Sequence, residues 1–136
     1  MIMNIAIMES PGIPEEALRR RMAPFLAEGH TFSVYDRTED PAVMIEEAKD
    51  AGAVILANMP LPEEVIDRCP SLKFIDVAFT GVDHVGLEAA RRQGAAVSNA
   101  AGYSTQAVAE LALGLALSLV RHIPEMEGRQ QNIVLA

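Results

Sequence analysis

The sequence predicts an α/β fold, in which a doubly wound parallel sheet of five strands is followed by one long helix. Short aliphatic runs alternate with segments of helical periodicity at intervals of about 20 to 25 residues, which is typical of repeated βαβ units. Half of the residues are apolar and only 4% are aromatic. Such a composition favours layered packing of small aliphatic side chains over a disulfide-stabilised or disordered chain.

The first strand is predicted at residues 2–8, a nearly continuous apolar run of the kind that is buried on both faces of a parallel sheet. Pro14 then opens a helix, because proline is favoured at the first helical position. Gly29 ends this helix, and a second strand follows at residues 30–35. The apolar stripe of the helix comprises Leu18, Met22, Phe25 and Leu26.

The middle of the chain repeats this pattern. Asp40 and Pro41 begin a helix whose C-terminal residue is predicted to be Gly52, and Gly94 ends a later helix. The remaining strands are predicted at residues 53–57, 73–78 and 95–98, and the short helices at residues 63–68 and 87–92. Together these elements predict a flavodoxin-like domain over residues 1–102.

The helix predicted at residues 104–123 has apolar side chains around almost its whole circumference. Ser104 is its candidate N-cap, and Pro124 lies beyond its end. A helix that is apolar all round needs cover on several sides, so we expect a second partner, which is either another domain or another subunit. A homodimer through residues 104–123 is the predicted form of the second. The domain division is therefore 1–102, 103–124 for the helix and 125–136 for a tail, which is either one more short strand or disordered.

Charge and cysteine content exclude several classes of function. The formal net charge of −8 argues against nucleic acid as a partner, and the basic cluster at residues 19–21 is interpreted as a solvated helix face. The single cysteine, Cys69, excludes an internal disulfide and fits a reducing compartment. The longest apolar stretch, residues 107–120, is too short to span a membrane. We therefore expect a soluble, cytoplasmic protein without a metal site.

A specific order of residues begins at position 74. It runs FIDVAFTGVDHV over residues 74–85, LEAA over 87–90, VSN over 97–99 and AELA over 109–112. This ordered set resembles the NAD-dependent D-2-hydroxyacid dehydrogenase family, and the resemblance extends from Met1 to about Gly128. The resemblance implies that the chain corresponds to the substrate-side domain of that family.

The resemblance implies roles for Thr80 and Gly81 at the end of the fourth strand. Ligands of open α/β sheets bind outside the carboxyl ends of the strands, and successive backbone N–H groups there can hold an anion. In the family, this loop holds the substrate carboxylate, and the residue matching Thr80 lies beside the nicotinamide. An ordinary strand-to-helix turn is the alternative. Asp83 is expected to cap the turn into the next helix, and His84 to be a bystander.

Three further positions are weaker candidates. Asn58 and Met59 follow the third strand, where the family often adds a wall to the substrate pocket. Thr105 matches a position at the start of the connecting helix that approaches the cofactor. Asn99 and Tyr103 flank the crossover between domains and receive no specific role.

The sequence departs from the family in one respect. No G-x-G-x-x-G fingerprint occurs in the 136 residues, and the arginine, glutamate and histidine that catalyse the reaction lie, in the family, in or after the nucleotide-binding domain. We therefore assign no catalytic residue and expect NAD or NADP to serve only the complete enzyme, with a small 2-hydroxy or 2-oxo acid as its substrate. A truncated dehydrogenase that is inactive alone is the first hypothesis. A stand-alone flavodoxin-like module that binds a small anion or a partner protein is the alternative.

Overall fold

The computed structural model describes residues 2–123, and these residues contain a five-stranded parallel sheet with helices. The strands are β1 (Asn4–Ile7), β2 (Thr31–Val34), β3 (Ala53–Leu56), β4 (Phe74–Val77) and β5 (Ala96–Asn99). The helices are α1 (Glu15–Ala27), α2 (Pro41–Ala48), α3 (Glu63–Ile66), α4 (Leu87–Gln93) and α5 (Thr105–Val120). The strand order β2-β1-β3-β4-β5 is doubly wound and confirms the predicted fold class.

The described residues form two compact units, which divide between Ala101 and Gly102. The first contains the whole sheet and α1 to α4, and the second contains α5. The predicted tail at residues 125–136 lies outside the described residues. In the part of the chain that the structure describes, no helix is long and apolar enough to cross a membrane.

The hydrophobic core lies on one face of the sheet, under α2, α3 and α4. Alternate strand residues point to the same face, so Ala6, Val54 and Ile75 meet the helices there. Their helical partners are Met44, Ala48, Val65, Ile66, Ala89 and Ala90. Burying an aliphatic side chain of this size contributes roughly 1.5–3 kcal/mol, so this face supplies most of the stabilisation.

The opposite face of the sheet is only partly covered. Ile5, Ile55 and Phe74 line an apolar cavity of about 540 Å³ there, together with Phe25 of α1. The prediction that the first strand is buried on both faces is therefore wrong at its start, where Asn4 is exposed and Ile5 half-buried. The apolar stripe of α1 likewise contains no buried residue. Phe25 is 50% exposed, and its ring makes edge contacts with His30 and Phe32.

One helix end and one N-cap differ from the prediction. The structure ends α2 at Ala48, because Gly52 already belongs to the entry of β3: its N–H donates to the Asn4 carbonyl oxygen at 2.8 Å. The start of α2 is as predicted, since the Asp40 carboxylate accepts the Ala42 N–H at 2.9 Å. At α5, Ser104 occupies the N-cap position but its side chain makes no capping hydrogen bond.

Candidate functional site

The carboxyl ends of β1, β3 and β4 lie side by side along one edge of the sheet. Because β2 and β3 flank β1 on opposite sides, the connections from β1 and β3 diverge here, as they do at ligand sites of doubly wound folds. The segments that leave this edge begin at Met8, Ala57 and Ala78. They carry Glu9, the predicted residues Asn58 and Met59, and the predicted residues Thr80 and Gly81.

The loop after β4 presents unused backbone donors. The N–H groups of Thr80, Gly81 and Val82 donate to no acceptor within residues 2–101, and Thr80 is exposed. The loop is held by its carbonyls instead: the Thr80 oxygen accepts from Asn99 Nδ2 at 2.7 Å, and the Phe79 oxygen accepts from the Ala100 N–H at 2.9 Å. Three successive N–H groups without partners can bind an anion such as a carboxylate.

Gly81 is not explained by the chain's own packing. Its φ angle is not positive, and among the residues that the structure describes a Cβ placed there would meet only the Asp83 Oδ2, at 3.7 Å. The fold would accept a small side chain at this position. A glycine here keeps the space beside the backbone N–H groups open to a ligand.

The prediction that Asp83 caps the following helix is wrong. Helix α4 begins after Gly86, and no side chain accepts a hydrogen bond from its first turn. The turn is stabilised by its backbone, where the Val85 N–H donates to the Val82 oxygen at 3.0 Å. Within the described residues, the Nε2 of His84 is buried without a hydrogen-bond partner.

The two predicted residues after β3 differ in exposure. Asn58 is exposed, and its Oδ1 accepts a hydrogen bond from Arg37 Nη1 at 2.6 Å. Met59 is 0% exposed and belongs to the hydrophobic core. Its side chain therefore packs inside the domain, and only its backbone lies with the loop.

Glu9 is a residue of this edge that the sequence analysis missed. It is only 6% exposed, yet its Oε1 accepts the N–H groups of Ala57 at 2.7 Å and Met59 at 2.8 Å. Burial raises the pKa of Glu9, but the backbone N–H groups of Met59, Ala57 and Asn58 and the charge of Arg37 outweigh this effect and lower the pKa overall. Glu9 is thus a buried carboxylate that holds the loop after β3. The one signal in the sequence is an acid directly after a buried strand.

Arg37 joins three neighbouring strands of the sheet. It follows β2, and its Nη1 donates to Glu9 Oε2 at 3.1 Å and to Asn58 Oδ1 at 2.6 Å. Its Nη2 lies 3.7 Å from the carboxylate of Glu39, which is well exposed. A buried carboxylate is tolerated when it is paired and hydrogen-bonded, and Arg37 provides that pairing for Glu9.

The loops after β3 and β4 are bound to each other by their backbones. The Leu61 N–H donates to the His84 oxygen at 2.9 Å, and the Gly86 N–H donates to the Leu61 oxygen at 2.8 Å. Gly86 also lies so close to α3 that an added Cβ would stand 2.7 Å from the Glu63 nitrogen. A displacement of one loop is therefore transmitted to the other.

Thr105 belongs to the second unit, where it is the first residue of α5 and is exposed. Its N–H donates to the Gly102 oxygen at 3.4 Å. Tyr103, which received no role, is also exposed, whereas Asn99 binds the Thr80 carbonyl of the first unit. The described residues contain no group of three or more histidine, cysteine or acidic side chains that could hold a metal ion.

Comparisons with known proteins identify the family of the chain. Residues 5–131 match the family model described as the D-isomer specific 2-hydroxyacid dehydrogenase, catalytic domain. The chain is 35% identical to a hydroxypyruvate reductase of Blautia hydrogenotrophica over 92 residues, 66% of this chain and 29% of that protein. It is also 35% identical to a putative 2-hydroxyacid dehydrogenase of Haemophilus influenzae over 117 residues, 86% of this chain and 36% of that protein.

A solved structure shows the same fold. The crystal structure of the NAD⁺-bound 3-phosphoglycerate dehydrogenase of Entamoeba histolytica superposes with a TM-score of 0.72 at 26% identity. The superposition covers 87% of this chain and 39% of that one. The chain thus spans about a third of the length of the curated relatives that it matches.

Proposed function

Since the chain belongs to the D-isomer specific 2-hydroxyacid dehydrogenase family, we propose that it is the substrate-side domain of an NAD- or NADP-dependent oxidoreductase that acts on the CH–OH group of a D-2-hydroxy acid. The carboxylate of the 2-hydroxy or 2-oxo acid binds the N–H groups of Thr80, Gly81 and Val82. The observation that supports this most directly is that these three donors have no acceptor within residues 2–101.

Carboxylate binding by this loop alone is weak. The backbone N–H groups carry only partial charges, and no described arginine donates to the loop after β4. Without a bidentate guanidinium partner, the affinity for a 2-oxo acid is no better than about the millimolar range, which corresponds to roughly −4 kcal/mol. The loop orients the ligand, and the charged partner is expected from elsewhere in an active enzyme.

The nicotinamide cofactor does not fit the residues of this chain alone. A dinucleotide site of the Rossmann type needs a glycine-rich turn whose N–H groups hold the pyrophosphate, and these 136 residues contain no G-x-G-x-x-G. Thr80 and Thr105 are proposed only as positions beside the cofactor in an active enzyme. We expect no hydride transfer by the chain by itself, because its sequence lacks the turn that would place the nicotinamide against the substrate carbon.

A titration of the 136-residue chain with pyruvate tests the binding site. Backbone amide shifts in ¹⁵N spectra are expected at residues 79–84, with a dissociation constant of about 1 mM or weaker. Acetate, which lacks the 2-oxo group, is the control for carboxylate binding alone. Shifts centred on other residues, or none, would remove the binding proposal.

An activity assay tests the second part of the proposal separately. Lactate and glycerate are offered with NAD and with NADP, and reduced cofactor is measured by absorbance. We expect no turnover by the pure chain. A cofactor-reducing activity that co-purifies with the 136-residue chain and is proportional to its concentration would show that the chain is a complete catalyst.

The exposed apolar surface of α5 favours an additional partner. Seven of its aliphatic side chains are exposed, namely Val108, Leu111, Leu113, Leu115, Leu117, Leu119 and Val120. Such a surface is unfavourable in water and is typical of an interface. We propose that two copies of the chain associate through residues 104–123. A module that binds a different partner protein through the same helix is the alternative.

A further inference from the structure

We propose that the open face of the sheet is the surface covered by α5 of a second copy, so that each copy of the chain gives one helix and receives one. The open face is the side of the sheet opposite α2, α3 and α4. This inference rests on the proposed association through residues 104–123 and names the surface that the helix meets. The contact joins exposed side chains of α5 in one copy to the apolar cavity of about 540 Å³ in the other.

The open face has space for one more helix beside α1. Parallel sheets occur almost only with both faces covered by helices. Of the described helices, α2, α3 and α4 cover the other face, and α1 covers only part of this one. Five strands that lie about 4.8 Å apart span about 19 Å, which is enough for two helices whose axes are about 8–10 Å apart. A helix with an apolar side is therefore the cover that this face lacks.

The area beside α1 is a continuous apolar row across four strands. Ile5 of β1 pairs with Phe32 of β2 and with Ala53 of β3, and Ala53 pairs with Phe74 of β4. Side chains that are paired in this way point to the same side of the sheet. Phe74 is 37% exposed, and Phe25 of α1 is 50% exposed at the edge of the same cavity. Large aromatic side chains are thus exposed where a helix would cover them.

The polar groups of the open face do not oppose its burial. The Asp76 Oδ1 accepts a hydrogen bond from the Ser98 hydroxyl at 2.9 Å, and the His30 Nδ1 accepts the Met3 N–H at 3.2 Å. Lys73 also lines the cavity, and its long side chain can keep the ammonium group in water while its carbon chain is covered. A helix that docks here would therefore replace water mainly at apolar atoms.

The exposed aliphatic side chains of α5 form two stripes on opposite sides of the helix. Successive residues of an α-helix are turned by about 100°, so residues three, four, seven or eleven positions apart lie on one side. The longer stripe, named the α5 stripe here, comprises Val108, Leu111, Leu115 and Leu119. The opposite side carries Leu113, Leu117 and Val120. Because no residue of α5 is buried, neither stripe is covered in the described structure.

The α5 stripe suits the open face in size and in shape. It extends over eleven residues, or about 17 Å, and a strand of four residues extends over about 13 Å. Ala112 and Ser118 lie beside the stripe, and such small side chains let the helix approach the sheet closely.

A reciprocal exchange covers more apolar surface than the pairing of two α5 helices. Pairing would cover one stripe of each helix and would leave both open faces in water. In the exchange, each copy contributes one α5 stripe and one open face, so both kinds of surface are covered twice. The assembly is closed by two-fold symmetry and leaves no such contact for a third copy.

Two charge substitutions test the two sides of the contact. Leu115→Glu places a charge in the α5 stripe, and Phe74→Glu places one on the open face. Light scattering should give a monomer for each variant, with dissociation constants at least tenfold higher than that of the unmodified dimer. Val43→Glu is the matched control, because Val43 is 41% exposed but lies on α2, on the other side of the sheet. This control should remain a dimer.

Mixing the two variants distinguishes the exchange from helix pairing. Leu115→Glu keeps an intact open face, and Phe74→Glu keeps an intact α5 stripe, so a mixed pair retains one of the two contacts. The mixture should form a heterodimer that neither variant forms alone, and it should be weaker than the unmodified dimer. Native mass spectrometry identifies the heterodimer, because the two variants differ in mass. Circular dichroism checks that each variant is folded.

The possible outcomes separate this inference from the association on which it rests. If the unmodified chain is a monomer, both fail. If it is a dimer and Phe74→Glu is a dimer of the same stability, the association stands and the open face is not its surface. If both variants are monomers and their mixture forms no heterodimer, the contact is not a reciprocal exchange and the inference is wrong. Should Phe74→Glu not fold, Phe25→Glu takes its place in each experiment.

Discussion

The carboxylate of Glu9 accepts the backbone N–H of Met59 at 2.8 Å, although fifty positions separate the two residues in the chain. The contact joins the end of β1 to the loop after β3, at the point where the sheet connections diverge. Met59 is fully buried, so the loop is anchored on one side by the core and on the other by a charged hydrogen bond. Asn58, which precedes Met59 in this anchored loop, is exposed.

Glu9→Gln should destabilise the protein at neutral pH. The pKa of Glu9 is lowered from its ordinary value of 4.5, so the ionised carboxylate stabilises the folded state above pH 4.5. This stabilisation is lost as the pH falls from about 4.5 through the lower folded-state pKa. Urea unfolding at pH 7 should show a loss of about 2 kcal/mol, the range for hydrogen bonds to a charged group. The difference between the two proteins should narrow below pH 4.5.

Glu39→Gln is the control for that experiment, because it removes a carboxylate from the same cluster at an exposed position. It should change the free energy of unfolding by less than about 0.5 kcal/mol. A loss for Glu9→Gln that is equally large at pH 7 and pH 3 would contradict the explanation, since an effect of packing alone does not depend on the protonation of Glu9.

Much of the fold was predictable because its signals are local. Aliphatic runs separated by glycine, proline and capping residues predicted all five strands and the helices between them, with ends displaced by one to three residues at most elements. The errors arose where a residue forms a hydrogen bond with a residue that is distant in the sequence. Gly52, predicted to end α2, instead donates to the carbonyl of Asn4 and enters the sheet. The sequence does not show such a pairing until the strand order is known.

The site was predictable only in part, for the same reason. The resemblance led to Thr80 and Gly81, whose loop has the free donors that an anion needs. The Glu9 cluster was missed because its hydrogen bonds join residues 28, 21 and 50 positions apart, on three neighbouring strands. When each is considered alone, an acid after β1 and an arginine after β2 look like ordinary polar residues of a loop.

Glu47→Gln should stabilise the protein, in contrast to the change at Glu9. Burial raises the pKa of Glu47, and the negative charge of Asp36 raises it further, while its Oε2 is buried without a partner among the described residues. The ionised form is therefore unfavourable in the folded state, and stability is lost as the pH rises above 4.5 through the raised pKa. Removing the charge should increase the free energy of unfolding at pH 7 by up to about 1 kcal/mol.

The pH dependence distinguishes this explanation from a general effect of glutamine. Unfolding of Glu47→Gln and of the unmodified chain should be compared at pH 4 and pH 7 by urea denaturation. The advantage of the variant should be small at pH 4 and larger at pH 7. An advantage that is the same at both values, or a loss at pH 7, would contradict the role assigned to the Glu47 charge.

Gly86→Ala should disturb the loops of the site. A Cβ at position 86 would lie 2.7 Å from the Glu63 nitrogen and 2.9 Å from the Glu63 Cα, and backbone atoms cannot move aside as the end of a side chain can. The expected loss is about 1–3 kcal/mol in thermal or urea unfolding. Pyruvate binding should weaken as well, because Gly86 is bonded to Leu61 of the neighbouring loop.

Gly114→Ala is the matched control. Gly114 lies within α5, and a Cβ there would meet no atom within 4 Å among residues 2–123, apart from the helix's own backbone. Alanine in a helix is favoured over glycine by about 0.5–1 kcal/mol, so this substitution should stabilise the helix or leave stability unchanged. If Gly86→Ala and Gly114→Ala changed the free energy of unfolding in the same direction and by the same amount, close packing would not explain the glycine at position 86.

Leu115→Glu should abolish the proposed self-association. Leu115 is 57% exposed and lies on α5 among other exposed aliphatic side chains. Each such side chain contributes roughly 1.5–3 kcal/mol when it is buried, so four or five of them amount to the stability of a small domain. Two copies can cover these side chains mutually, and a two-fold arrangement is the commonest closed assembly.

Light scattering should give the mass of a dimer for the unmodified chain at micromolar concentration. The variant places a charge at the interface and should give the mass of a monomer with its sheet domain still folded. The unmodified chain could instead be a monodisperse monomer, and the variant could have the same mass and solubility. That result would show that α5 does not mediate association between copies.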